Sequence, residues 1–416
     1  MKIAIIGSGI SGLTAAYLLN KKHEITIFES NDYIGGHTHT HSLDIGANKV
    51  SVDSGFIVYN ENTYPNFIKI LQKLKVESQK TQMGFSVKSI RNNLEYSGNS
   101  LGSMFSQRSN IFKPSFLIML KNILRFNKEA EKQIGEINPS MSLGDFLAHY
   151  KYSPYFINNY ILPIGAAIWS TKVSSMLDMS AIFFINFFKN HSLLQIKNRA
   201  QWYVIKGGSN KYIEKMIDSF RTKIRLSSPV KKVIRNNEKV EIIFGASDYS
   251  QETFDSVIFA NHSDQALELL DNPSKSEKEI LSSIKYQKNN VLLHFDESIL
   301  PKRKSTWSSW NFLLDNDSDK PVALTYNMNI LQNLKCDETL CVSLNSDDHI
   351  DKSKIIKKIV YDHPLFTVDS LKAQSRKEEI NGKNNSYFCG AYWRNGFHED
   401  GVVSALDVCK KFGESL

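Results

Sequence analysis

The 416-residue sequence predicts an α/β protein of two domains, one built on a parallel sheet and one α+β with an antiparallel sheet and helices. Three observations lead there. A strand, a glycine turn, a helix and a second strand follow one another within about the first thirty residues. Strand-like segments return after residue 200 and again close to residue 390. Between these blocks lie long stretches of helical spacing, rich in aromatics.

Composition sets the outer bounds. With 41% hydrophobic and 23% charged residues, the chain is neither disordered nor collagen-like. Lys and Arg number 51 against 43 acids, a net charge of +8 spread along the chain. That balance suits an anionic surface or cofactor, and no nucleic-acid partner is expected. Four cysteines (Cys336, Cys341, Cys389, Cys409) form no CxxC pair, so neither a disulfide framework nor a zinc site is expected. A reducing, cytoplasmic setting fits, with peripheral contact at the inner membrane face left open. The apolar run from Ile3 to Leu19 imitates a secretory leader. Three glycines interrupt it, however, and a charged segment with no small-residue cleavage site follows. No uninterrupted apolar stretch reaches the roughly 20 residues a bilayer requires.

The elements follow in order. Ile3-Ala4-Ile5-Ile6 has the run of apolar residues that a strand buried on both faces shows. It leads into Gly7-Ser8-Gly9-Ile10-Ser11-Gly12, then a helix carrying Leu13, Ala16, Leu18 and Leu19, then the strand Glu24 to Phe28, which ends at Glu29. This is the order of a Rossmann-like, dinucleotide-binding unit. Gly7 permits the tight turn, Gly9 admits a pyrophosphate, and Gly12 lets helix and strand pack closely. Gly7, Ser8, Gly9, Ser11 and Gly12 are the candidate phosphate contacts, assisted by the helix N-terminus. Glu29, about twenty residues on, accepts from a ribose diol and repels a 2′-phosphate. His37, His39 and His41 alternate along a strand, but nothing acidic or thiolate joins them at ligand spacing, so no metal is expected.

After Glu29 comes Ser30-Asn31-Asp32-Tyr33-Ile34-Gly35-Gly36-His37-Thr38-His39-Thr40. Here the sequence resembles the flavin-containing amine oxidase superfamily, which includes monoamine oxidases, protoporphyrinogen oxidase and phytoene-type desaturases. Within it, the chain is most similar to a bacterial branch of predicted FAD-binding oxidoreductases. The resemblance implies FAD as cofactor, with Ser30, Gly35, Gly36, His37 and Thr38 joining the nucleotide contacts. His37 stands where the family usually has Arg or Lys. Val52-Asp53-Ser54-Gly55-Phe56 resembles the segment passing beside the isoalloxazine ring, so Gly55 and Phe56 become candidates. By the same resemblance, Val230 meets the adenine edge through its backbone. Gly390 ends a strand, and a last helix starting near Gly401 and Val402 points at the flavin pyrimidine.

The implied domains are discontinuous. Residues 1–84, 201–275 and 381–416 form the FAD-binding domain, with a parallel sheet and a small antiparallel β-meander. Residues 85–200 and 276–380 form the α+β substrate domain. Strands are expected at Pro229 to Ile234, Val240 to Ile243, Phe254 to Ala260, Asn290 to Phe295, Val322 to Tyr326 and Leu340 to Leu344, and a helix at Tyr212 to Phe220. The run Ala181 to Phe188 holds four phenylalanines. It reads either as helix core or as the wall of a pocket for a long apolar substrate, with Lys189 toward lipid headgroups.

The resemblance also bears on chemistry. Where amine-oxidising relatives place a Lys near flavin N5, this chain has Asn290, with Lys288 two positions earlier. A Tyr of their amine-binding cage is Phe397 here. Both departures favour a hydrophobic small-molecule substrate, with a fatty acyl chain as the suggested class and dehydrogenation as the task. His398, Trp393 and Asn290 are the candidate catalytic side chains. Amine oxidation, a flavin-dependent mutase without net redox, and a non-catalytic FAD-bound membrane partner stay open. The electron acceptor is not indicated.

Overall fold

The computed structural model describes residues 1–416 except 47, 139, 170–171, 196–199, 237 and 316–322. At its centre a five-stranded parallel sheet runs in the order Ile224–Arg225, Glu24–Phe28, Lys2–Ile6, Ser256–Phe259, Ser386–Phe388. The strand Lys2–Ile6 lies between two neighbours and is covered on both faces, which is why it is apolar without alternation. The helix Ile10–Leu19 is buried almost all round, between this sheet and the last helix, His398–Lys410.

Beside the sheet stands the antiparallel meander Val230–Arg235, Val240–Phe244, Ser250–Phe254. The segment expected as one strand from Phe254 to Ala260 is two strands, broken at Asp255. Asp255 donates its amide to the Lys2 carbonyl (2.8 Å), and its carboxylate accepts from the Lys2 amide (2.6 Å). The chain changes sheets at this residue, leaving the meander on one side and joining the parallel sheet on the other. The expected helix at Tyr212 to Phe220 is shorter, Asn210–Met216, and a 3₁₀ turn, Arg221–Lys223, follows soon after.

A seven-stranded sheet forms the second half. Its order is Ile355–Pro364, Tyr286–His294, Cys341–Leu344, Ala323–Asn327, Trp310–Leu314, Phe85–Ser89, Leu94–Ser97. All neighbours are antiparallel except Trp310–Leu314 beside Phe85–Ser89. Val322, expected to open one of these strands, lies outside the described residues. Against this sheet pack the helices Pro114–Gln133, Leu143–His149, Leu162–Trp169 and Ala181–Asn190, which share one aromatic core. In the Phe-rich helix, Phe184, Phe187 and Phe188 are buried, and Lys189 pairs with Glu131 at 2.7 Å instead of standing ready for headgroups.

The last helix starts one turn earlier than expected, at His398. The Asp400 carboxylate sets that start by accepting from the amides of Phe397 (2.9 Å) and Asn395 (3.2 Å). Gly401 is therefore inside the helix, where it presses on the first helix. A Cβ there would lie 2.7 Å from Ile10 Cγ2, and Ser11 Oγ donates to the Gly401 carbonyl at 3.0 Å. Gly401→Val should wedge the two helices apart and cost about 1–3 kcal/mol, read as a lower urea midpoint. Lys410→Ala, on the exposed side of the same helix, should leave that midpoint within about 0.5 kcal/mol of wild type.

Candidate functional site

Two glycine turns and one helix meet at the C-terminal edge of the parallel sheet. Gly9 ends the first turn and caps the helix Ile10–Leu19 with no side-chain hydrogen bond. The amides of that first helical turn are thus available to an anion. Gly9 forms an isolated backbone bridge with Gly35, and a Cβ on Gly36 (φ +58°) would lie 3.2 Å from Gly9 Cα. Only glycine fits that approach. A Cβ on Gly9 itself would meet nothing within 4 Å, so the space over the helix start is open.

Glu29 is buried beneath this turn. Its carboxylate accepts from the Ser8 amide (2.9 Å) and hydroxyl (2.7 Å), from the Asn31 amide and side chain (both 2.9 Å), and from Ser30 Oγ (3.3 Å). Those donors fill its acceptor sites, so a ribose diol reaching it displaces a side-chain donor such as Ser30 or Asn31. The neighbouring backbone pairs with the start of the meander: Ser228 donates to the Glu29 carbonyl (2.8 Å) and Ser227 to that of Asn31 (2.9 Å). Val230 follows two residues on, half-buried at a bulge in its strand.

The second turn carries the histidines. His37 donates to the Asp362 carbonyl and stacks on Tyr361 (4.7 Å), while its Nε2 is buried without a partner. Burial, and then the nearby His363, His262 and His398, hold its pKa well below the ordinary range. The usual cation is thus replaced by a neutral imidazole. Tyr33 stacks on His39, and His41 Nε2 pairs with Ser54 Oγ at 2.8 Å.

Gly55 passes directly over this turn. A Cβ there would lie 2.0 Å from the His37 carbonyl, and the Phe56 amide donates to that same oxygen (2.7 Å). The Phe56 ring stacks on His398 at 3.6 Å, nearly parallel. His398 Nε2 contacts the Tyr212 hydroxyl (3.0 Å), which contacts Thr38 Oγ1 (2.7 Å). Burial lowers the His398 pKa to about 3, so this chain of groups holds a neutral imidazole. From there aromatic packing continues through Phe397 and Phe187 (5.1 Å apart) to Phe183 and Phe366 (5.6 Å).

Asp53 fastens these parts together. Fully buried, it accepts from the Ser209 amide and hydroxyl (2.9 and 2.8 Å), Thr40 Oγ1 (2.5 Å) and Gln332 Nε2 (2.7 Å). Burial outweighs those bonds and raises its pKa to about 6.

Several expected residues sit elsewhere. Asn290 and Lys288 face solvent, and Asn290 bonds Asp347 (3.2 Å). Side chains alternate along the strand, so the inward residue is Asn289, which meets His363 Nδ1 at 2.8 Å. Trp393 lies in the apolar cluster of Ala4, Ile6, Phe28 and Phe259, away from the Phe56–His398 stack. The Gly390 amide is taken by Ser404 Oγ (3.1 Å) and that of Gly401 by the Phe397 carbonyl (3.2 Å), while Val402 is core. The first residue of the tail helix is His398, and Gly401 lies one turn inside it. Tyr212, Asn289 and His363 were not singled out from sequence; an aromatic in the helix after Gly207-Gly208 was the available signal for the first.

An uncapped helix start, open space over Gly9, and the unpartnered buried atoms His37 Nε2 and Asn261 Oδ1 fit a large, anionic, hydrogen-bonding cofactor. A profile of flavin-containing amine oxidoreductases matches residues 10–352.

The chain belongs to the flavin-containing amine oxidoreductase family.

Proteins of this family contain flavin, as the sequence resemblance implied for this chain. It is 38% identical over 74 residues to a 1-hydroxycarotenoid 3,4-desaturase of Flavobacterium sp. (strain P99-3), covering 18% of this chain and 14% of the relative. It is 23% identical over 284 residues to an L-amino-acid oxidase of Protobothrops flavoviridis, covering 62% and 51%. The chain thus spans about half or less of these curated relatives. Its fold superposes on a CLA-producing fatty acid isomerase from P. acnes with a TM-score of 0.68 at 16% identity, covering 99% and 98%.

The buried imidazoles make stability depend on pH. Burial lowers the pKa to about 4 in His39, His191, His294 and His363, and to about 3 in His41 and His398. Unfolded, each takes up a proton near 6.5, so below that pH the unfolded chain binds more protons and stability falls. Asp53 and Asp400, both raised to about 6, act oppositely, since between 3.8 and 6 the folded state holds the extra proton. Six imidazoles outnumber two carboxyls. The thermal midpoint should therefore drop as pH is lowered from 6.5 toward 4, and a rise over that interval would contradict the assignment.

Proposed function

We propose that the protein removes a hydride from an uncharged, hydrophobic small molecule, of the fatty acyl class, at N5 of FAD. One observation carries this reading: the rings leading away from Phe56 and His398 are aromatic, and among the described residues no buried carboxylate is left unengaged to hold an ammonium group. Among the described residues every buried acid is engaged. Asp53, Glu399 and Asp400 bond the amides at helix starts, and Glu29 is filled by the glycine turn. Glu95, Glu277, Asp296 and Glu414 pair with Arg303, Arg235, Lys354 and Lys22. Phe397, where amine-oxidising members have a Tyr, extends the same apolar surface. The names of two proteins similar to this one, a carotenoid desaturase and a fatty acid isomerase, agree with it.

Bound FAD supplies the hydride acceptor. In this reading Gly7, Ser8, Gly9, Ser11, Gly12, Gly35, Gly36, His37 and Thr38 hold the pyrophosphate with backbone amides, hydroxyls and one imidazole. Glu29 and Ser30 take the ribose, and Val230 the adenine. Gly55 and Phe56 flank the isoalloxazine. Gly390, Gly401 and Val402 support it by seating the last helix against the first. Tyr212, held between Thr38 and His398, orients the imidazole and, with the phenyl rings around it, excludes water.

Anaerobic mixing tests the proposal. The yellow protein should lose its oxidised-flavin absorbance with linoleate or a saturated acyl chain, and keep it with benzylamine or putrescine. Bleaching by the amines alone would overturn it. Gly9→Asp, which places a carboxylate in the phosphate space, should purify colourless and serve as the control.

A further inference from the structure

We infer that the helix Pro114–Gln133 and the short helical turns before it form a docking surface for an anionic lipid bilayer. This goes beyond the substrate reading and stands independently of it. Leu101 is 81% exposed and Phe112 is 85% exposed, and Ile111, Leu117, Ile118 and Leu124 are exposed beside them. Soluble surfaces scatter single apolar side chains; a cluster of this size on adjoining elements needs a partner. The elements do adjoin. Phe105, which caps the turn Leu101–Met104, lies 5.8 Å from Phe116 in the first turn of the long helix, and Phe112 sits two residues before that helix begins.

The helix is apolar on both sides for different reasons. Phe116, Met119, Phe126 and Ala130 form its inner stripe and belong to the aromatic core of the substrate half. Leu117, Ile118 and Leu124 lie on the opposite face with Lys121 and Lys128. Core packing explains the first stripe and leaves the second unpartnered.

Charge selects the occupant. Residues 96–128 contain five basic side chains and no acid. Arg125 is turned inward onto Tyr150 and Tyr152, which leaves Arg108, Lys113, Lys121 and Lys128 around the apolar patch. Among the described residues none of these four is in an ion pair. Of the flanking carboxylates, Glu95 pairs with Arg303 and Glu131 with Lys189, while Glu129 accepts a hydrogen bond from Gln133 at the far end of the helix. Apolar side chains ringed by cations fit the headgroup and acyl boundary of an anionic leaflet.

Vesicle sedimentation of the flavin-loaded protein tests this. The protein should pellet with vesicles of phosphatidylcholine mixed with phosphatidylglycerol and stay in solution with phosphatidylcholine alone. High salt should weaken the binding. Leu101→Asp/Phe112→Asp, at positions exposed enough to accept charge without unfolding, should reduce the bound fraction about tenfold. Lys121→Glu/Lys128→Glu should reduce it by roughly fivefold per residue. Tyr249→Asp, an exposed aromatic in the meander, should bind as wild type does. Absence of wild-type binding, equal binding to neutral vesicles, or full binding by the Leu101→Asp/Phe112→Asp variant would each overturn the assignment. So would a soluble dimer that those two substitutions dissolve while vesicle binding is absent.

Discussion

Close approach of main chain to main chain governs this molecule. Gly9 bridges Gly35, a methyl group on Gly36 would press on Gly9 at 3.2 Å, and Gly401 lets the last helix settle on Ile10 and Ser11. Each contact is made where a side chain is missing. Because the three segments touch without intervening groups, the helix start, the second turn and the tail helix bound one space. Fixed backbone dipoles, rather than movable side chains, are then what that space offers a phosphate group. The same geometry brings Phe56, Thr38, Tyr212 and His398 within reach of one another from four separate parts of the chain.

The environment so created is neutral and aromatic. His37 occupies the position of a fixed cation yet is held uncharged by burial, and His398 is held uncharged in the same way. Attraction for the anionic cofactor therefore rests on the uncapped helix and on hydrogen-bond donors, with little help from formal charge. Toward the half built on the seven-stranded sheet, Phe397, Phe187, Phe183 and Phe366 continue the apolar packing without a break in character.

How much of this was legible in the sequence depends on the range of the interaction that decides it. The glycine turn, its flanking strands and Glu29 were readable because local geometry dictates the residue types at fixed offsets. The split at Asp255 was not. Phe254 to Ala260 looks like one apolar strand, and only a partner more than two hundred residues away, Lys2, determines where the chain changes sheets. The start of the last helix was misplaced for a similar reason, since Asp400 caps backward onto Asn395 and Phe397. On the strand Tyr286–His294 a displacement of one residue exchanged the faces, so Asn290 went out and Asn289 in. Trp393 was read as near the flavin because of its neighbours in sequence; packing placed it in the core, with its ring 5.0 Å from that of Tyr392.

The seating of residue 401 against residues 10 and 11 has a consequence for how the chain is made. Synthesis proceeds from the amino end, so the almost wholly apolar helix Ile10–Leu19 emerges from the ribosome long before its cover, His398–Lys410, exists. The edge strand Ser386–Phe388 is equally late. Until the last helix is made, the hydrophobic flank of Ile10–Leu19 lacks the partner it packs against in the fold. The space over the glycine turns therefore gains its third wall only once residue 401 can dock on residues 10 and 11.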